Sequence, residues 1–225
     1  MSAAARLAVL ISGNGSNLQA LIDAITAGEL DARIVLVISN VPDAPGLTRA
    51  RAAGIATQVI DHRNYSERIL FDGALAEAIT PYAVDLVILA GFMRILSAGF
   101  IRAFADRLIN IHPSLLPNYP GLDTHQQAID NGDRAAGATV HFVSTELDSG
   151  PAIIHAATPV ENYDTASSLA ARVRQLEHQI LPLAVQWCCS GRVAWRDNQA
   201  LLDNKTLPPG GWRYVPVDQT LRKKS

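Results

Sequence analysis

The positions of apolar residues predict that strands and helices alternate along the first half of the chain. Continuous apolar runs, typical of strands covered on both faces, occupy residues 34–39 and 86–89. Helical spacing recurs in residues 65–80, where Ile69, Leu70 and Leu75 share one stripe. The predicted strands of this half are residues 6–12, 34–39, 57–60 and 86–89, and helices are predicted after residue 17 and at 46–53 and 65–80. Because strands that alternate with helices pair in parallel through right-handed crossovers, we predict a doubly wound α/β sheet.

The second half of the chain predicts an antiparallel extension of this mostly parallel sheet. Strands are expected at 108–111, 138–143 and 152–156, a proline-rich loop at 113–120 and a short helix at 124–131. A helix over residues 165–187 contains Pro182, which we expect to kink or divide it. The polar tail from Gly191 suggests a hairpin. With no internal repeat or low-complexity linker, we predict one domain over residues 1–225, with its core at about 6–200 and a short C-terminal tail.

The composition is that of an ordinary globular protein, and its charge argues against two classes of partner. Hydrophobic residues make up 48% of the 225 residues, and the formal net charge is -2. This charge gives no general attraction to nucleic acid or anionic membranes, so an anionic ligand needs a local site. No apolar run could span a bilayer, and the adjacent Cys188 and Cys189 do not suggest a disulfide framework. We expect a cytoplasmic protein that acts on small molecules, as a monomer or a homodimer.

Ligands of an open parallel sheet bind beyond the carboxyl ends of its strands, so the segments that follow the strands were inspected for chemistry. The first, SGNGSN at 12–17, joins a strand to a helix, and such a loop can turn its N–H groups toward an anion. It lacks the third glycine of a dinucleotide fingerprint and the Gly-Lys-Ser/Thr of a P-loop, which favours a small phosphate monoester. An ordinary tight turn with an N-cap at Ser16 or Asn17 would use the same residues.

Two further strand ends carry unusual residues. The segment AGFMRIL at 90–96 could line a pocket for a flat heterocycle, or form a core turn with a surface arginine. In NIHPSLLP at 110–117, Asn110 and His112 alternate in strand register and therefore point to the same side. An amide can donate to an oxyanion, and an imidazole can carry a proton near neutral pH. A buried histidine bonded to a carbonyl is the common alternative.

The segment TELDSGP at 145–151 adds a carboxylate to these candidates. If Asp148 reaches His112, it favours the charged imidazolium; otherwise Asp148 is a turn residue. Together the segments resemble the phosphoribosylglycinamide formyltransferases, folate-dependent enzymes of purine synthesis. The resemblance covers residues 7 to about 209, through LISGNGSNLQALID, ISN, GLTRARAAGIAT, LAGFMRIL, INIHPSLLPNYPG, HFVSTELDSGP, ARVRQLEHQILP and LPP.

The resemblance implies a function and a set of site residues. It implies transfer of a formyl group from 10-formyltetrahydrofolate, the co-substrate, to the amine of glycinamide ribonucleotide, without a metal. The implied catalytic residues are Asn110, His112 and Asp148. The residues implied to bind the phosphate and the ribonucleotide are Gly15, Ser16, Asn17, Arg174 and Glu177. The residues implied to bind the folate, beneath a loop at 146–150, are Arg68, Met93, Arg94, Ile95, Leu96 and Asn110. Asp123 departs from the family pattern, where a histidine is expected.

The sequence leaves several interpretations of the histidines and of the function open. His62, His125, His141, His155 and His178 are scattered without ligand spacing, and most are interpreted as surface or core residues, with His125 beside the site. A methionyl-tRNA formyltransferase would usually carry a C-terminal RNA-binding domain and a basic surface, whereas this chain is slightly acidic and ends soon after its long helix. A formyltetrahydrofolate hydrolase would usually carry an N-terminal regulatory domain. A non-catalytic nucleotide-binding protein on the same fold would bind its ligands without turnover.

Overall fold

A computed structural model describes residues 4–216 and places most elements where the apolar pattern predicts them. The predicted span of 1–225 includes residues 1–3 and 217–225, which lie outside the described residues. The main elements are β1 (Ala5–Ile11), α1 (Ser16–Thr26), β2 (Ala32–Ser39), α2 (Pro45–Ala52), β3 (Thr57–Val59), α3 (Arg68–Ile79), β4 (Leu86–Leu89), α4 (Ala98–Ala103), β5 (Leu108–His112), α5 (Thr124–Asp130), β6 (Ala135–Phe142), β7 (Ala152–Pro159), α6 (Ala166–Cys189), β8 (Val193–Arg196), β9 (Gln199–Leu202), β10 (Lys205–Thr206) and β11 (Trp212–Tyr214).

The predicted doubly wound sheet with an antiparallel extension is confirmed. An eight-stranded sheet has the strand order β11-β7-β6-β5-β4-β1-β2-β3. Pairing is parallel from β3 to β5, antiparallel across β5, β6 and β7, and parallel again between β7 and β11. The tail forms a three-stranded antiparallel sheet, β10-β9-β8, before β11 joins the main sheet, and is thus more than the predicted hairpin. Among residues 4–216, no helix has the length and apolarity needed to cross a membrane.

The core lies on both faces of the sheet because side chains alternate along each strand. In β1, Leu7, Val9 and Ile11 belong to the cluster that packs with α1 and α6. Ala8 and Leu10 belong to the opposite cluster, which includes buried residues of α3 and α4. This two-sided burial explains why the central strands are continuously apolar, and it leaves the loops at the strand ends free to build a site.

Several local predictions were wrong. The helix predicted at 65–80 begins at Arg68, and Ile69 and Leu70, predicted on its buried stripe, are 61% and 54% exposed. The short helix α4 was missed altogether. Pro182 does not divide α6, which continues for 24 residues, because the buried residues Ile180 and Ala184 hold both sides of the proline in the core.

The start of α1 also differs from the turn that the alternative reading expected. The N-cap is Gly15, with φ of 73°, rather than Ser16 or Asn17. A Cβ atom at Gly15 would lie 2.6 Å from the Cα of Gly46, so the helix start and α2 approach each other through two glycines. Glycine is required here both for the left-handed backbone and for the close approach.

Candidate active site

A cleft of about 810 Å³ opens at the carboxyl ends of β4 and β5, as expected for a parallel sheet. Because β1, β4 and β5 are neighbours in the sheet, the loops that follow them meet at one edge. The cleft is lined by Arg68 and residues 91–96 on one side and by the loops at 121–126 and 143–148 on the other, with Asn110, His112 and His141 on its floor. The size suits a ligand as large as a drug-like heterocycle.

His112 lies at the end of β5 between two acceptors. Its Nε2 is 2.8 Å from the carbonyl oxygen of Tyr119, and its Nδ1 is 3.4 Å from Oδ2 of Asp148. The side chain is only 4% exposed, so these two oxygens dominate its surroundings. A neutral imidazole has one N–H, whereas the imidazolium has two and can donate to both oxygens. Both ring nitrogens of His112 therefore face a hydrogen-bond acceptor.

Asn110 lies two residues earlier on the same strand, and its side-chain nitrogen is held by a third group. Nδ2 is 3.1 Å from Nε2 of His141 and 3.4 Å from Oδ1 of Asp148. Burial lowers the pKa of His141 to about 4, so the ring is neutral at physiological pH. With its Nδ1–H donated to the carbonyl oxygen of Phe142, 2.8 Å away, Nε2 of His141 is left to accept from Asn110.

Asp148 reaches the cleft because the connection between β6 and β7 makes a tight turn. Its backbone has φ of 49°, in the left-handed region that aspartate tolerates better than most residues. Oδ2 of Asp148 also accepts from the backbone N–H of Gly121 at 2.9 Å, which ties the turn to the loop after β5. The structure thus brings Asn110, His112 and Asp148 together, as the resemblance implied, and adds His141 to them.

His141 was interpreted from the sequence as a surface or core residue. The antiparallel register of β5 and β6 places it directly opposite Asn110. That pairing follows from the strand register and not from any short motif, so only a correct register for residues 138–143 could have revealed it. His125 lines the same cleft, and burial is the main cause of its lowered pKa, with the positive charge of Arg174 and of His112 as smaller causes.

The loop after β1 lies on the other side of this cluster. Because Gly15 has no side chain to cap α1, the backbone N–H groups at the start of the helix are open to an anion. Nδ2 of Asn17 donates to Oε2 of Glu177 at 2.6 Å, while Oδ1 of Asn17 has no partner among residues 4–216. Burial raises the pKa of Glu177, and the hydrogen bond from Asn17 and the charge of Arg174 act against that rise. Gly15, Ser16, Asn17, Arg174 and Glu177 therefore share one region.

The loop after β4 forms the outer wall of the cleft. Met93 and Ile95 are 64% and 55% exposed, Arg94 lines the cleft between them, and Leu96 is buried beneath. The loop is anchored to the neighbouring strand end, since the backbone N–H of Met93 donates to Oγ of Ser12 at 2.7 Å. Arg68, the first residue of α3, faces this wall. Exposed apolar side chains with Arg94 between them and Arg68 nearby suit a ligand with a flat ring and an anionic tail.

Asp123, where the family pattern has histidine, lies at the mouth of the cleft. It is exposed, adopts φ of 57° and precedes α5 without capping it through its side chain. Within the described residues, no group of three or more histidine, cysteine, aspartate or glutamate side chains could hold a metal ion.

Comparisons with known proteins identify the family and the fold to which this chain is similar. A family model described as formyl transferase matches residues 5–185. The phosphoribosylglycinamide formyltransferase of Escherichia coli (strain K12) is 50% identical over 206 residues, which cover 92% of this chain and 97% of the relative. The trifunctional purine biosynthetic protein adenosine-3 of Homo sapiens is 46% identical over 194 residues, which cover 86% of this chain and 19% of that longer protein. The solved phosphoribosylglycinamide formyltransferase of Coxiella burnetii is 44% identical, with a TM-score of 0.90 over 94% of this chain and 99% of its own.

Proposed function

The chain belongs to the formyl transferase family, and we propose that it transfers the formyl group of 10-formyltetrahydrofolate to the amine of glycinamide ribonucleotide. The products are formylglycinamide ribonucleotide and tetrahydrofolate, in purine biosynthesis. The observation that carries the proposal is the position of Asn110, His112 and Asp148 between a large apolar cleft and an open helix start. A direct transfer needs both substrates in one site with their reacting atoms almost in contact, and this layout provides it.

The acceptor side would hold the ribonucleotide through its two ends. The backbone N–H groups of Gly15, Ser16 and Asn17 would bind the phosphate, with Arg174 adding positive charge. Glu177 would accept from the glycinamide amine, which it can do while Asn17 holds its other side. Because burial disfavours the charged carboxylate of Glu177, an amine that donates to it would relieve part of that cost.

The donor side would hold the folate along Met93, Arg94, Ile95 and Leu96. Their exposed apolar side chains would cover the pterin, with the loop at 146–150 over it. Arg68 at the outer end of the cleft would meet the anionic tail of the cofactor. The formyl carbon would then lie over the floor of the cleft, near Asn110 and His112.

Attack by the amine on the formyl carbon places negative charge on the former formyl oxygen. Asn110 can donate to this oxygen by exchanging its long 3.4 Å contact with Asp148, while His141 keeps the other N–H. The imidazolium of His112, supported by Asp148, stabilises the same charge. To pass a proton to the leaving folate nitrogen, His112 would give up its 3.4 Å contact with Asp148, or act through a water held between the two, and the proton that the attacking amine loses would replace the one given away.

We also propose a domain organisation, a class of partner and a cellular location for the protein. The described residues would form part of a single domain spanning 1–225, and its partners would be its small-molecule substrates alone. Cys188 and Cys189 are free and at least partly buried, which fits a reducing cytoplasm.

A formyl-transfer assay tests the function directly. Purified protein is mixed with 10-formyltetrahydrofolate and glycinamide ribonucleotide, and the absorbance of the released folate is followed. We expect release that depends on the ribonucleotide and is lost in His112→Ala. Release without the ribonucleotide would instead indicate a hydrolase, and saturable binding of both ligands without release would indicate a binding protein.

A further inference from the structure

Tyr119 combines a left-handed backbone with a direct contact to the catalytic imidazole. Its φ is 55°, a region that costs free energy for residues other than glycine. In this conformation its carbonyl oxygen lies 2.8 Å from Nε2 of His112. The contact is made by the backbone, so the identity of the side chain at 119 is not needed for the contact itself. The side chain can affect the contact only through the position of the backbone.

The phenol of Tyr119 fixes the backbone that carries this carbonyl group. Its hydroxyl donates to Oδ2 of Asp133 at 2.8 Å and accepts from Nδ2 of Asn131 at 3.0 Å. Both partners directly follow α5, an element that packs on α6 and β6. Tyr119 therefore connects the segment that follows α5 to the ring of His112. We see in this link a reason for a strained tyrosine in the loop after β5.

We propose that Tyr119 is a positioning residue for formyl transfer: held by Asp133 and Asn131, its carbonyl group keeps a proton on Nε2 of His112. The inference rests on the proposed function for its catalytic meaning. With Nε2–H committed to Tyr119 and Nδ1 facing Oδ2 of Asp148 at 3.4 Å, both ring nitrogens face acceptors. Each acceptor favours the imidazolium that stabilises the oxyanion. Loss of the Tyr119 hydroxyl would make its carbonyl group less well positioned and would weaken the hydrogen bond from Nε2 of His112, one of the ring's two contacts with an acceptor.

Other charged or titratable groups also face His112 and must be held constant in a test. They are Asp148 in the turn after β6, His141 on β6, His125 on α5 and Glu177 on α6. Tyr119→Phe changes none of these groups and removes a single oxygen. A change in the pH dependence of Tyr119→Phe therefore reports on the carbonyl link.

The experiment measures kcat, both KM values and the pH profile for four variants of the full chain. Tyr119→Phe and Asp133→Ala remove the two ends of the phenol hydrogen bond. Asp133→Asn keeps an oxygen that can accept from the hydroxyl and serves as the rescue variant. Tyr163→Phe removes the same atom from a residue that is 82% exposed and serves as the matched control. The ¹⁵N signals of the His112 ring are recorded in each variant across the same pH range.

We expect Tyr119→Phe and Asp133→Ala to lower kcat about three- to tenfold, with both KM values nearly unchanged. The alkaline side of their kcat profile should move to lower pH, because Nε2 of His112 loses an acceptor that is held in place. Asp133→Asn and Tyr163→Phe should match the wild type. At a pH where the ring is neutral, the ring signals should show Nε2–H in the wild type and a mixture of the two tautomers in Tyr119→Phe.

Superimposable pH profiles and ring signals for the wild type and Tyr119→Phe would overturn the inference. A rise in KM alone would also overturn it, because it would assign Tyr119 to substrate binding. If the wild-type protein transfers no formyl group, the proposed function fails, and the ring signals of His112 still decide whether Tyr119 holds its Nε2 proton.

Discussion

At the scale of single residues, Asn110 shows how a group can be held in place and still be available to a substrate. Its stronger side-chain contact, with His141, fixes the amide plane. Its longer contact, with Asp148, can be exchanged for the developing oxyanion. Preorganised donors of this kind stabilise the transition state more than the ground state, because the charge on the oxygen appears only during the reaction.

Asn110→Ala should therefore lower kcat by about 10²–10³ while both KM values change little. Steady-state kinetics with each substrate varied in turn measures the three constants. Asn64→Ala, at an exposed residue in a turn remote from the cleft, is the control and should behave as the wild type. A loss confined to KM would mean that Asn110 binds a substrate in its ground state and does not stabilise the oxyanion.

His141 predicts a pH dependence of stability that a surface histidine would not give. Its pKa in the folded protein is lowered to about 4 by burial, whereas its ordinary value is 6.5. Between these values the unfolded chain takes up a proton that the folded protein does not. The contribution of His141 to stability is therefore complete above pH 6.5 and is lost as the pH falls toward 4.

Urea unfolding at pH 7.5 and pH 4.5 tests this for the wild type and His141→Gln. Glutamine can replace both hydrogen bonds but does not titrate. From pH 7.5 to 4.5, the wild type should lose about 2 kcal/mol more of its free energy of unfolding than His141→Gln. Equal losses in the two proteins would show that His141 is charged, or exposed to water, in the folded state.

At the scale of elements, the start of α1 joins a backbone requirement to a binding role. Gly15 and Gly28 flank this helix with nearly the same dihedral, φ of 73° and 74°. A Cβ atom at Gly28 would meet nothing within 4 Å, whereas at Gly15 it would lie 2.6 Å from the Cα of Gly46. The two glycines therefore separate the cost of a left-handed backbone from the cost of a clash.

Gly28→Ala should lower the free energy of unfolding by about 1 kcal/mol, which is the cost of the left-handed backbone alone. Gly15→Ala should cost more, because α1 and α2 must move apart, and it should also weaken binding of the ribonucleotide at least tenfold. Urea unfolding and calorimetric titration of the ribonucleotide measure the two effects. Equal stability and equal affinity in both variants would contradict a close-packed phosphate loop.

Elements also show where sequence patterns are informative and where they are not. Continuous apolar runs located β2 and β4 well, because strands buried on both faces admit little else. The same logic failed at Ile69 and Leu70, which are apolar but exposed at the start of α3. Periodicity records which residues are apolar, and it cannot separate a core face from an exposed face. The helix α4 was missed because six residues are too few to show a period.

The residues of the candidate site likewise include some that sequence patterns predicted and some that they missed. Asn110 and His112 could be paired from strand alternation alone, while Asp148 and Glu177 were placed only through the resemblance to known enzymes. His141 and the carbonyl group of Tyr119 escaped prediction because they depend on the register of β5 with β6 and on a left-handed residue in a loop. Such features arise from tertiary packing and leave no local signal.

At the scale of the whole molecule, the mixed sheet explains why one cleft can serve two substrates. The parallel strands β1, β4 and β5 deliver three loops to one edge. The antiparallel strand β6 returns beside β5 and brings His141, and then Asp148, back to that edge. The proposed acceptor loop and donor wall therefore lie on separate strand ends, with the proposed catalytic residues between them.

This separation predicts that the two ligands stabilise the protein independently. At a concentration about 100 times its Kd, each ligand adds about 2.7 kcal/mol, and the Tm of a protein of this size should rise by roughly 5–10 °C. The donor site is probed with a folate analogue that carries no transferable formyl group. The two shifts should be roughly additive, because the ligands contact different loops.

A variant in each proposed binding site shows whether each ligand depends on its own site. Arg68→Ala should reduce the shift caused by the folate analogue and leave the shift caused by glycinamide ribonucleotide intact, since Arg68 lines only the donor cleft. Gly15→Ala should do the reverse, measured as the change on adding ligand because the variant is itself less stable. Loss of both shifts in either variant would mean that the sites are coupled through a shared conformational change, for which the hydrogen bond from the backbone N–H of Gly121 to Asp148 is the structural candidate.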